Sequence, residues 1–278
     1  MKKAILIVSF GTTYPETRQK NIAAITRQVR ALYPDALVAE AVSSTIVRNA
    51  MKKREHIDAK SPEEGLLWLK EQGATHIVVF PTHVIDGIEN YRVKRVVEEY
   101  KTDFKQITVA DALLAKSCDY TNVAKALWES LKEKVGNAPL ILMGHGTEHT
   151  ADSSYAVMEQ ALQAYAQQPV YIATVEGKRT IADVIAQMQS EDIVNVRVVV
   201  APFMLVAGDH AHNDMAGMED SFASLLKENG YLPECILRGL GEYPAVREIY
   251  LSHLQKAAGT LFADITTKNR TGILYGIG

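Results

Sequence analysis

The sequence predicts an α/β protein with two similar lobes, each a parallel sheet flanked by helices, and a cleft between them. Three observations support this prediction. Short, continuous apolar runs, typical of strands buried on both faces, alternate with longer segments of helical period. The order of these segments repeats in the second half of the chain. The 278 residues also exceed what one compact core usually holds. We therefore expect lobes at residues 1–135 and 136–278.

In the first lobe the apolar runs predict four strands. They are Ala4–Ser9, Leu37–Val42, His76–Pro81 and Gln106–Ala110. Helical spacing of isoleucine, valine and leucine predicts one helix over Glu16–Leu32. Pro62–Glu71 is a second helix, because Ser61 is a good N-cap and proline suits the first helical position.

The second lobe repeats this order. Its predicted strands are Leu140–Met143, Val170–Val175, Val196–Pro202 and Glu234–Leu237, and its helices are Tyr155–Tyr165 and Ile181–Met188. The residues themselves also recur. The run from Ile5 to Thr12 resembles the run from Leu140 to Thr147. Likewise, Val78–Pro81 followed by Gly87 resembles Val199–Pro202 followed by Gly208. We interpret the repeat as two lobes of one design that enclose a cleft.

Composition and charge exclude several classes of protein. A net charge of −3 gives no support for a nucleic-acid partner, since phosphate binding needs a basic field. No apolar segment approaches the ~20 residues of a membrane helix, and the opening apolar run is interpreted as a strand rather than a signal peptide. Cys118 and Cys235 form neither a disulfide framework nor a zinc motif. We expect a cytoplasmic protein.

Three polar residues follow consecutive strands of the second lobe. His145 follows the first strand, Glu176 the second, and His210 lies beyond the third. Ligands of open parallel sheets bind beyond the carboxyl ends of the strands. These ends are neighbours if the strand order is 2-1-3-4. Because two imidazoles and a carboxylate suit a divalent first-row metal such as cobalt or zinc, we predict a metal site here.

Each of these residues also has a structural interpretation. A histidine after a strand is often a hydrogen-bonded loop residue, His210 can stand at the polar entry to a helix, and a glutamate before a helix is favoured by the helix dipole. The glycines on either side of His145 favour the functional interpretation, because Gly144 and Gly146 let the chain turn sharply and leave the imidazole uncovered.

The first lobe carries different residues at the matching positions, namely Phe10, Ser43 and Glu89. It therefore lacks a comparable set of three ligands. We expect it to form the opposite wall of the cleft, with Phe10 and Glu89 as substrate-binding residues that face the ligand. The structural alternative is that Phe10 packs in the core and Glu89 only begins a helix.

Longer motifs resemble a known family. They are Val8–Thr12, Ser43-Ser44 with Arg48, Met143–Gly146, Met204–Met215 (MLVAGDHAHNDM) and Gly239–Glu242. Together they resemble the anaerobic sirohydrochlorin cobaltochelatases of the CbiK type, over nearly the whole chain. The resemblance implies two Rossmann-like lobes that insert Co²⁺ into sirohydrochlorin or its precorrin form in cobalamin synthesis, without nucleotide hydrolysis and with no cofactor besides the substrate ion.

The resemblance also implies roles for individual residues. His145 and His210 match the family's metal-site histidines, and Glu176 matches its acidic ligand. We expect His145 to act as the catalytic base as well, since an imidazole with a pKa near ~6.5 accepts protons at neutral pH. The substrate is a polycarboxylate, so basic side chains should line the cleft or form solvated helix faces. The candidates are Arg48, Lys52, Lys53, Arg54, Arg92, Lys94 and Arg95.

Two other functions remain open at the level of sequence. The first is an iron or nickel chelatase on the same scaffold, because ligand identity does not separate these metals from cobalt. The second is a two-lobed protein that binds a metal or a tetrapyrrole without reacting. The sequence also leaves homo-oligomerisation open.

Overall fold

The structure, a computed structural model, describes residues 1–262 and contains two four-stranded parallel sheets. The strands are β1 (Lys3–Ser9), β2 (Leu37–Val42), β3 (His76–Pro81), β4 (Gln106–Val109), β5 (Leu140–Gly144), β6 (Val170–Thr174), β7 (Arg197–Pro202) and β8 (Leu232–Cys235). The strand orders are β2-β1-β3-β4 and β6-β5-β7-β8. The predicted fold class is therefore confirmed, and both sheets have the order 2-1-3-4 on which the predicted site depends.

Helices cover the faces of both sheets. They are α1 (Pro15–Lys20), α2 (Ile22–Leu32), α3 (Thr45–Glu55), α4 (Pro62–Glu71), α5 (Ile88–Glu99), α6 (Ser117–Val135), α7 (Ser153–Ala166), α8 (Ile181–Ser190), α9 (Phe222–Glu228) and α10 (Pro244–Phe262). The N-cap predicted at Ser61 is present and belongs to a capping box, because the Ser61 hydroxyl accepts from the Glu64 N–H and the Glu64 carboxylate accepts from the Ser61 N–H. Among the helices described, none is long and apolar enough to cross a bilayer.

Several predicted elements begin or end one or two residues away from their predicted bounds, and two differences are larger or have a visible cause. The helix expected over Glu16–Leu32 is divided into α1 and α2 at Asn21, whose fully buried amide donates to Thr17 O at 2.8 Å and to Glu242 Oε1 at 3.3 Å. The last strand begins at Leu232, two residues earlier than its apolar pattern suggests. Ile236, which the apolar pattern placed within the strand, is buried just beyond the end of the strand. Tertiary contacts therefore override the local pattern at both places.

One hydrophobic core joins the two lobes. Buried residues of β1 and β3 belong to the same cluster as those of β5, β7 and α10. The helix α6 packs against both α7 and α10, and α10 extends across β3 and β4 of the first sheet. Tyr250 of α10 donates a hydrogen bond to Thr82 O at 3.1 Å. The last described helix thus covers the first sheet although it follows the second in the chain.

The two predicted lobe ranges meet at the end of α6, and the segment 136–139 connects this helix to β5. Residues 263–278, which the predicted second lobe includes, lie outside the described residues.

A buried hydrogen-bonded pair of side chains links α10 to α6. Nε2 of His253 lies 3.1 Å from Oδ1 of Asp119, and both side chains are almost completely buried. The other carboxylate oxygen of Asp119 accepts the N–H groups of Ala115 at 3.1 Å and Lys116 at 2.7 Å. The carboxylate therefore caps the start of α6 and binds the neighbouring helix at the same time, which makes its removal costly.

We expect Asp119→Asn to lower the free energy of unfolding by about 2–3 kcal/mol, because the amide cannot serve all three donors and leaves buried polar groups unpaired. Chemical denaturation measures this loss. Glu129→Gln, at the exposed Lys132–Glu129 pair on the same helix, is the control and should leave stability unchanged. Equal stability of the two variants would show that the His253–Asp119 contact does not hold the helices together.

Candidate metal centre

The two lobes present the same turn at the carboxyl edge of each sheet. The turn after β1 contains Gly11, with a φ of 96°, and the turn after β5 contains Gly146, with a φ of 84°. Both angles lie in the region that glycine adopts without strain. Phe10 precedes the first glycine and His145 precedes the second, so the predicted correspondence between these two residues agrees with the backbone.

The predicted counterpart of Glu176 is wrong by one residue. The Glu176 N–H donates to His145 O at 2.8 Å, and in the first lobe it is the Ser44 N–H that donates to Phe10 O, at 3.4 Å. Ser44, rather than Ser43, is therefore the equivalent position. The error arose because β6 ends at Thr174, one residue before the end that its apolar pattern predicts.

The structure brings His145, Glu176 and His210 together. Each offers a ligand atom, and these three atoms lie within 4.8 Å of one another. The two imidazole rings meet edge to face with their centroids 4.8 Å apart, and Nδ1 of His145 lies 3.8 Å from Oε2 of Glu176. The three strands that precede these residues are neighbours in the order β6-β5-β7. Convergence at the carboxyl edge follows from that order.

Close contact between two glycines sets the position of His145 relative to Glu176. A Cβ atom on Gly146 would lie 2.2 Å from the backbone nitrogen of Gly177 and 2.6 Å from its Cα. Any other residue at position 146 would force the two turns apart. The carboxylate of Asp152 also joins these turns, because it accepts the N–H of Thr147 at 3.1 Å and that of Lys178 at 3.2 Å.

Hydrogen bonds orient both imidazoles. His210 Nδ1 lies 2.7 Å from Oδ2 of Asp214, one helical turn further on, and His145 Nδ1 lies 3.0 Å from Gly146 O. Both acceptors require a proton on Nδ1, which leaves the Nε2 lone pair free. Histidine ligands of metals typically donate their second ring N–H to a carboxylate or a carbonyl in this way. The hydrogen bonds therefore prepare both rings to bind a cation.

The donor set fits a divalent first-row ion. Imidazole nitrogens and carboxylate oxygens bind such ions at about 2.0–2.2 Å, so two ligands of one ion are about 4 Å apart at most. A small rotation of the side chains closes the present spacing of up to 4.8 Å. The side chains of His145 and Glu176 are 36% and 61% exposed. Three protein ligands at an open site leave a coordination position for a substrate, as in catalytic metal sites.

Phe10 and Glu89 both lie in the first lobe, Phe10 directly after β1 and Glu89 near the start of α5. The Phe10 side chain is among the exposed large apolar groups, and its ring centroid lies 6.2 Å from that of His145, so this ring does not pack in the core. Glu89 lies in the first turn of α5, and its carboxylate accepts from the Ser43 hydroxyl at 3.3 Å and from Arg92. Because Ser43 follows β2, the Glu89 carboxylate lies over the carboxyl edge of the first sheet.

Most of the candidate basic residues already have partners within the protein. Arg48 donates to the carbonyl groups of Val42 and Ser43, which fixes the guanidinium at the start of α3. The other pairs are Lys52–Asp58, Arg92–Glu89, Lys94–Asp86 and Arg95–Glu99. These side chains would have to exchange partners to bind an anionic ligand.

The other histidines near the cleft do not join the three ligands. His83 is the second residue after β3. Burial lowers its pKa to about 4, and neither ring nitrogen has a hydrogen-bond partner among the described residues. The Nδ1 atom of His149 accepts the N–H of Ala151 at 3.1 Å. His212 stacks on Tyr14 of the first lobe. Sequence reasoning did not find this stack, because the two residues are remote in the chain.

Comparison with known proteins gives a family match over almost the whole chain. The family model described as cobalt chelatase (CbiK) matches residues 3–259. The sirohydrochlorin cobaltochelatase of Salmonella typhimurium is 33% identical over 258 residues, which cover 92% of this chain and 97% of that protein. Sirohydrochlorin cobaltochelatase CbiKC of Nitratidesulfovibrio vulgaris is 32% identical, and the match covers 94% of this chain and 92% of that protein.

Solved structures share the fold. SirB from Bacillus subtilis with Fe³⁺ has a TM-score of 0.65 at 20% identity and covers 94% of this chain and 97% of its own. CbiX, described as the terminal enzyme for biosynthesis of siroheme in denitrifying bacteria, has a TM-score of 0.56 at 18% identity and covers 92% and 99%. At these identities the likeness concerns the fold alone. It agrees with two lobes that each contain a parallel sheet.

We expect Gly146→Ala to lower the free energy of unfolding by about 2–4 kcal/mol, because the methyl group meets the backbone of Gly177 and the positive φ disfavours alanine. It should also weaken the binding of Co²⁺ at least tenfold, since the turns that carry His145 and Glu176 move apart. Isothermal titration with Co²⁺ measures the second effect.

Gly136→Ala is the matched control for this substitution. Gly136 has a φ of 58°, but a Cβ atom there meets nothing within 4 Å. This variant should lose about 1–3 kcal/mol of stability through backbone strain alone and keep the affinity of the unaltered protein for Co²⁺. If Gly146→Ala binds Co²⁺ as tightly as Gly136→Ala does, the contact between the glycines does not shape the metal centre.

Proposed function

The chain belongs to the cobalt chelatase (CbiK) family, and we propose from this premise that it inserts Co²⁺ into sirohydrochlorin or precorrin-2 without ATP, in anaerobic cobalamin biosynthesis. The observation that carries the proposal is the convergence of His145, Glu176 and His210 in a chain that matches the family from residue 3 to residue 259. The two curated relatives named above, both called sirohydrochlorin cobaltochelatase, support the choice of metal and macrocycle. The proposal requires no cofactor besides the substrate ion.

The three side chains act first as ligands in this proposal. Insertion requires that water leaves the Co²⁺ ion and that the ion passes to the pyrrole nitrogens of the macrocycle. Nε2 of each histidine and the carboxylate of Glu176 replace part of the hydration shell. The macrocycle then approaches from the open side of the site, where His145 and Glu176 are exposed. Because only part of the coordination shell is protein, the ion can be released to the macrocycle.

His145 is then the proposed proton acceptor. Two inner N–H groups lose their protons as the cobalt–nitrogen bonds form, so each inserted Co²⁺ releases two protons. When the ion leaves His145, its Nε2 lone pair becomes free to accept one of them. The hydrogen bond from Nδ1 to Gly146 O keeps this lone pair directed away from the turn. The exposed imidazole can later pass the proton to solvent.

The first lobe supplies the opposite wall in this proposal. The exposed ring of Phe10, at 6.2 Å from His145, offers an apolar face to the macrocycle. We assign to Glu89 the role of receiving protons or guiding the incoming ion, because its carboxylate lies over the edge of the first sheet that faces the cleft.

The free thiols of Cys118 and Cys235 agree with a reaction in the cytoplasm.

Parallel metallation assays test the function itself. Sirohydrochlorin with Co²⁺, Fe²⁺ or Ni²⁺ should give the highest kcat/KM with Co²⁺, as followed by the visible absorption of the macrocycle. A higher kcat/KM with Fe²⁺ would identify an iron chelatase on the same scaffold. The absence of turnover with all three metals, together with binding of the macrocycle, would identify a binding protein and reject the proposed reaction.

We expect His145→Ala to abolish insertion of Co²⁺ and to leave the thermal unfolding curve unchanged, because an exposed imidazole on a glycine-flanked turn contributes little to packing. The rate should fall by at least about 100-fold, since general-base catalysis alone contributes about 10²–10⁴-fold. His76→Gln, at the amino edge of the first sheet, is the control and should retain full activity. Near-normal turnover by a folded His145→Ala variant would reject the central residue of the site.

We expect Glu89→Gln to slow insertion or to alter the metal preference, because it keeps the size of the side chain and removes its charge. The position of bound Co²⁺ in the second lobe should not change, as a crystal structure of the variant would show. Glu98→Gln, at the exposed Lys101–Glu98 pair on the same helix, is the matched control. Unchanged kinetics with every metal would show that Glu89 only contributes to the start of α5.

A further inference from the structure

The segment that follows β1 contacts the turn that carries His210. The ring of Tyr14 stacks on that of His212 with the centroids 4.8 Å apart and the planes 3° from parallel. The Tyr14 hydroxyl donates a hydrogen bond to Oδ1 of Asp209 at 3.3 Å. Burial and the nearby carboxylate of Asp209 raise the pKa of this tyrosine, so the phenol remains protonated and able to donate. Tyr14 therefore contacts the residue before His210 and the second residue after it.

Two further contacts keep the same segments together. The Thr17 hydroxyl donates to Ala207 O at 3.2 Å. A Cβ atom on Gly208 would lie 3.0 Å from the Thr12 hydroxyl oxygen, so the backbone at position 208 lies directly against the first lobe. The turn before His210 is therefore held against the first lobe at its start, and Tyr14 extends this contact past the ligand itself.

The turn after His210 needs such support. Ala211–Met215 forms a single π-helical turn. This conformation is rare in proteins, and where it occurs it is often near a functional site. The Asp214 carboxylate orients the imidazole from within this turn, so a movement of the turn moves both the ligand and its hydrogen-bond acceptor. His212 is exposed on the turn except where it meets Tyr14. The stack therefore joins an irregular turn of one lobe to the other lobe.

We propose that Tyr14 is a positioning residue for His210, and that its stack with His212 couples the position of this ligand to the first lobe. This inference rests on the proposed metal site. It assigns no chemical step to Tyr14. The side chain acts by holding the turn that carries His210. A displacement of about 1 Å in that turn can matter, because such a misplacement of a reacting group can cost about 100-fold in rate.

Titration of the metal-free protein with Co²⁺ tests the coupling. We expect Tyr14→Leu and His212→Ala each to raise the Kd for Co²⁺ about tenfold, and the double variant to be no weaker than either single one, because neighbouring residues of one network are not additive. Tyr14→Phe keeps the stack and loses only the bond to Asp209, so its Kd should rise less. Tyr165→Leu is the matched control. Its hydroxyl also donates to an exposed carboxylate, that of Glu129, at 3.3 Å, but at the C-terminal end of α7, whereas the start of this helix contacts the Gly146 turn.

Steady-state kinetics separate positioning from a general loss of structure. Tyr14→Leu should raise the KM for Co²⁺ and lower kcat, while the KM for sirohydrochlorin and the thermal unfolding curve stay equal to those of Tyr165→Leu. The visible absorption of bound Co²⁺ should also change in Tyr14→Leu, since it reports the coordination geometry. A Kd and a spectrum like those of the unaltered protein, or additive effects in the double variant, would overturn the proposal.

The experiments distinguish a wrong set of metal ligands from a wrong role for Tyr14. If His210→Ala binds Co²⁺ as tightly as the unaltered protein, the assigned ligand set is wrong, whatever Tyr14 does. If His210→Ala loses binding and Tyr14→Leu retains it, the ligand set holds and the coupling through Tyr14 is rejected.

Discussion

The candidate site depends on the contact between the backbones of Gly146 and Gly177. Two neighbouring strands of a parallel sheet end side by side, but side chains on the turns that follow would normally keep those turns apart. Here both turns lack a Cβ atom where they meet, so His145 and Glu176 lie close enough to share one ion. Asp152 fixes the same arrangement by accepting a hydrogen bond from each turn. His210 completes the set from the third strand, which borders the first on its other side.

The two lobes show how one backbone design serves two purposes. The turn after β1 keeps a positive φ at Gly11, but a Cβ atom there would meet the side chains of Val42 and Val47 rather than another turn. Phe10 then occupies the position of His145. The first lobe thus retains the geometry of the turn and replaces coordinating groups by an aromatic surface, a hydroxyl and a carboxylate. Such a division suits a cleft that binds an ion on one side and a ring on the other.

Much of the fold and the candidate ligands could be predicted because both follow from local patterns. Buried parallel strands are continuous apolar runs, and the polar residue after each run lies at the edge where ligands bind. What could not be predicted depends on contacts between remote segments. Asn21 divides a helix because it meets Glu242, and Tyr14 meets His212 across the cleft. The match between Ser44 and Glu176 became clear only from the backbone hydrogen bonds. An apolar pattern does not show where a strand ends to within one residue.

The path of α10 has a consequence for movement. This helix follows the second sheet in the chain but packs on the first, and the buried residues of both lobes form one cluster. Proteins whose domains close around a ligand turn about a flexible connection, typically over microseconds to milliseconds. A shared core opposes that rotation, so we expect the two sheets to keep their relative positions when a ligand binds. Loops and side chains, which move in nanoseconds to microseconds, are then the parts that can adjust when a ligand enters or leaves.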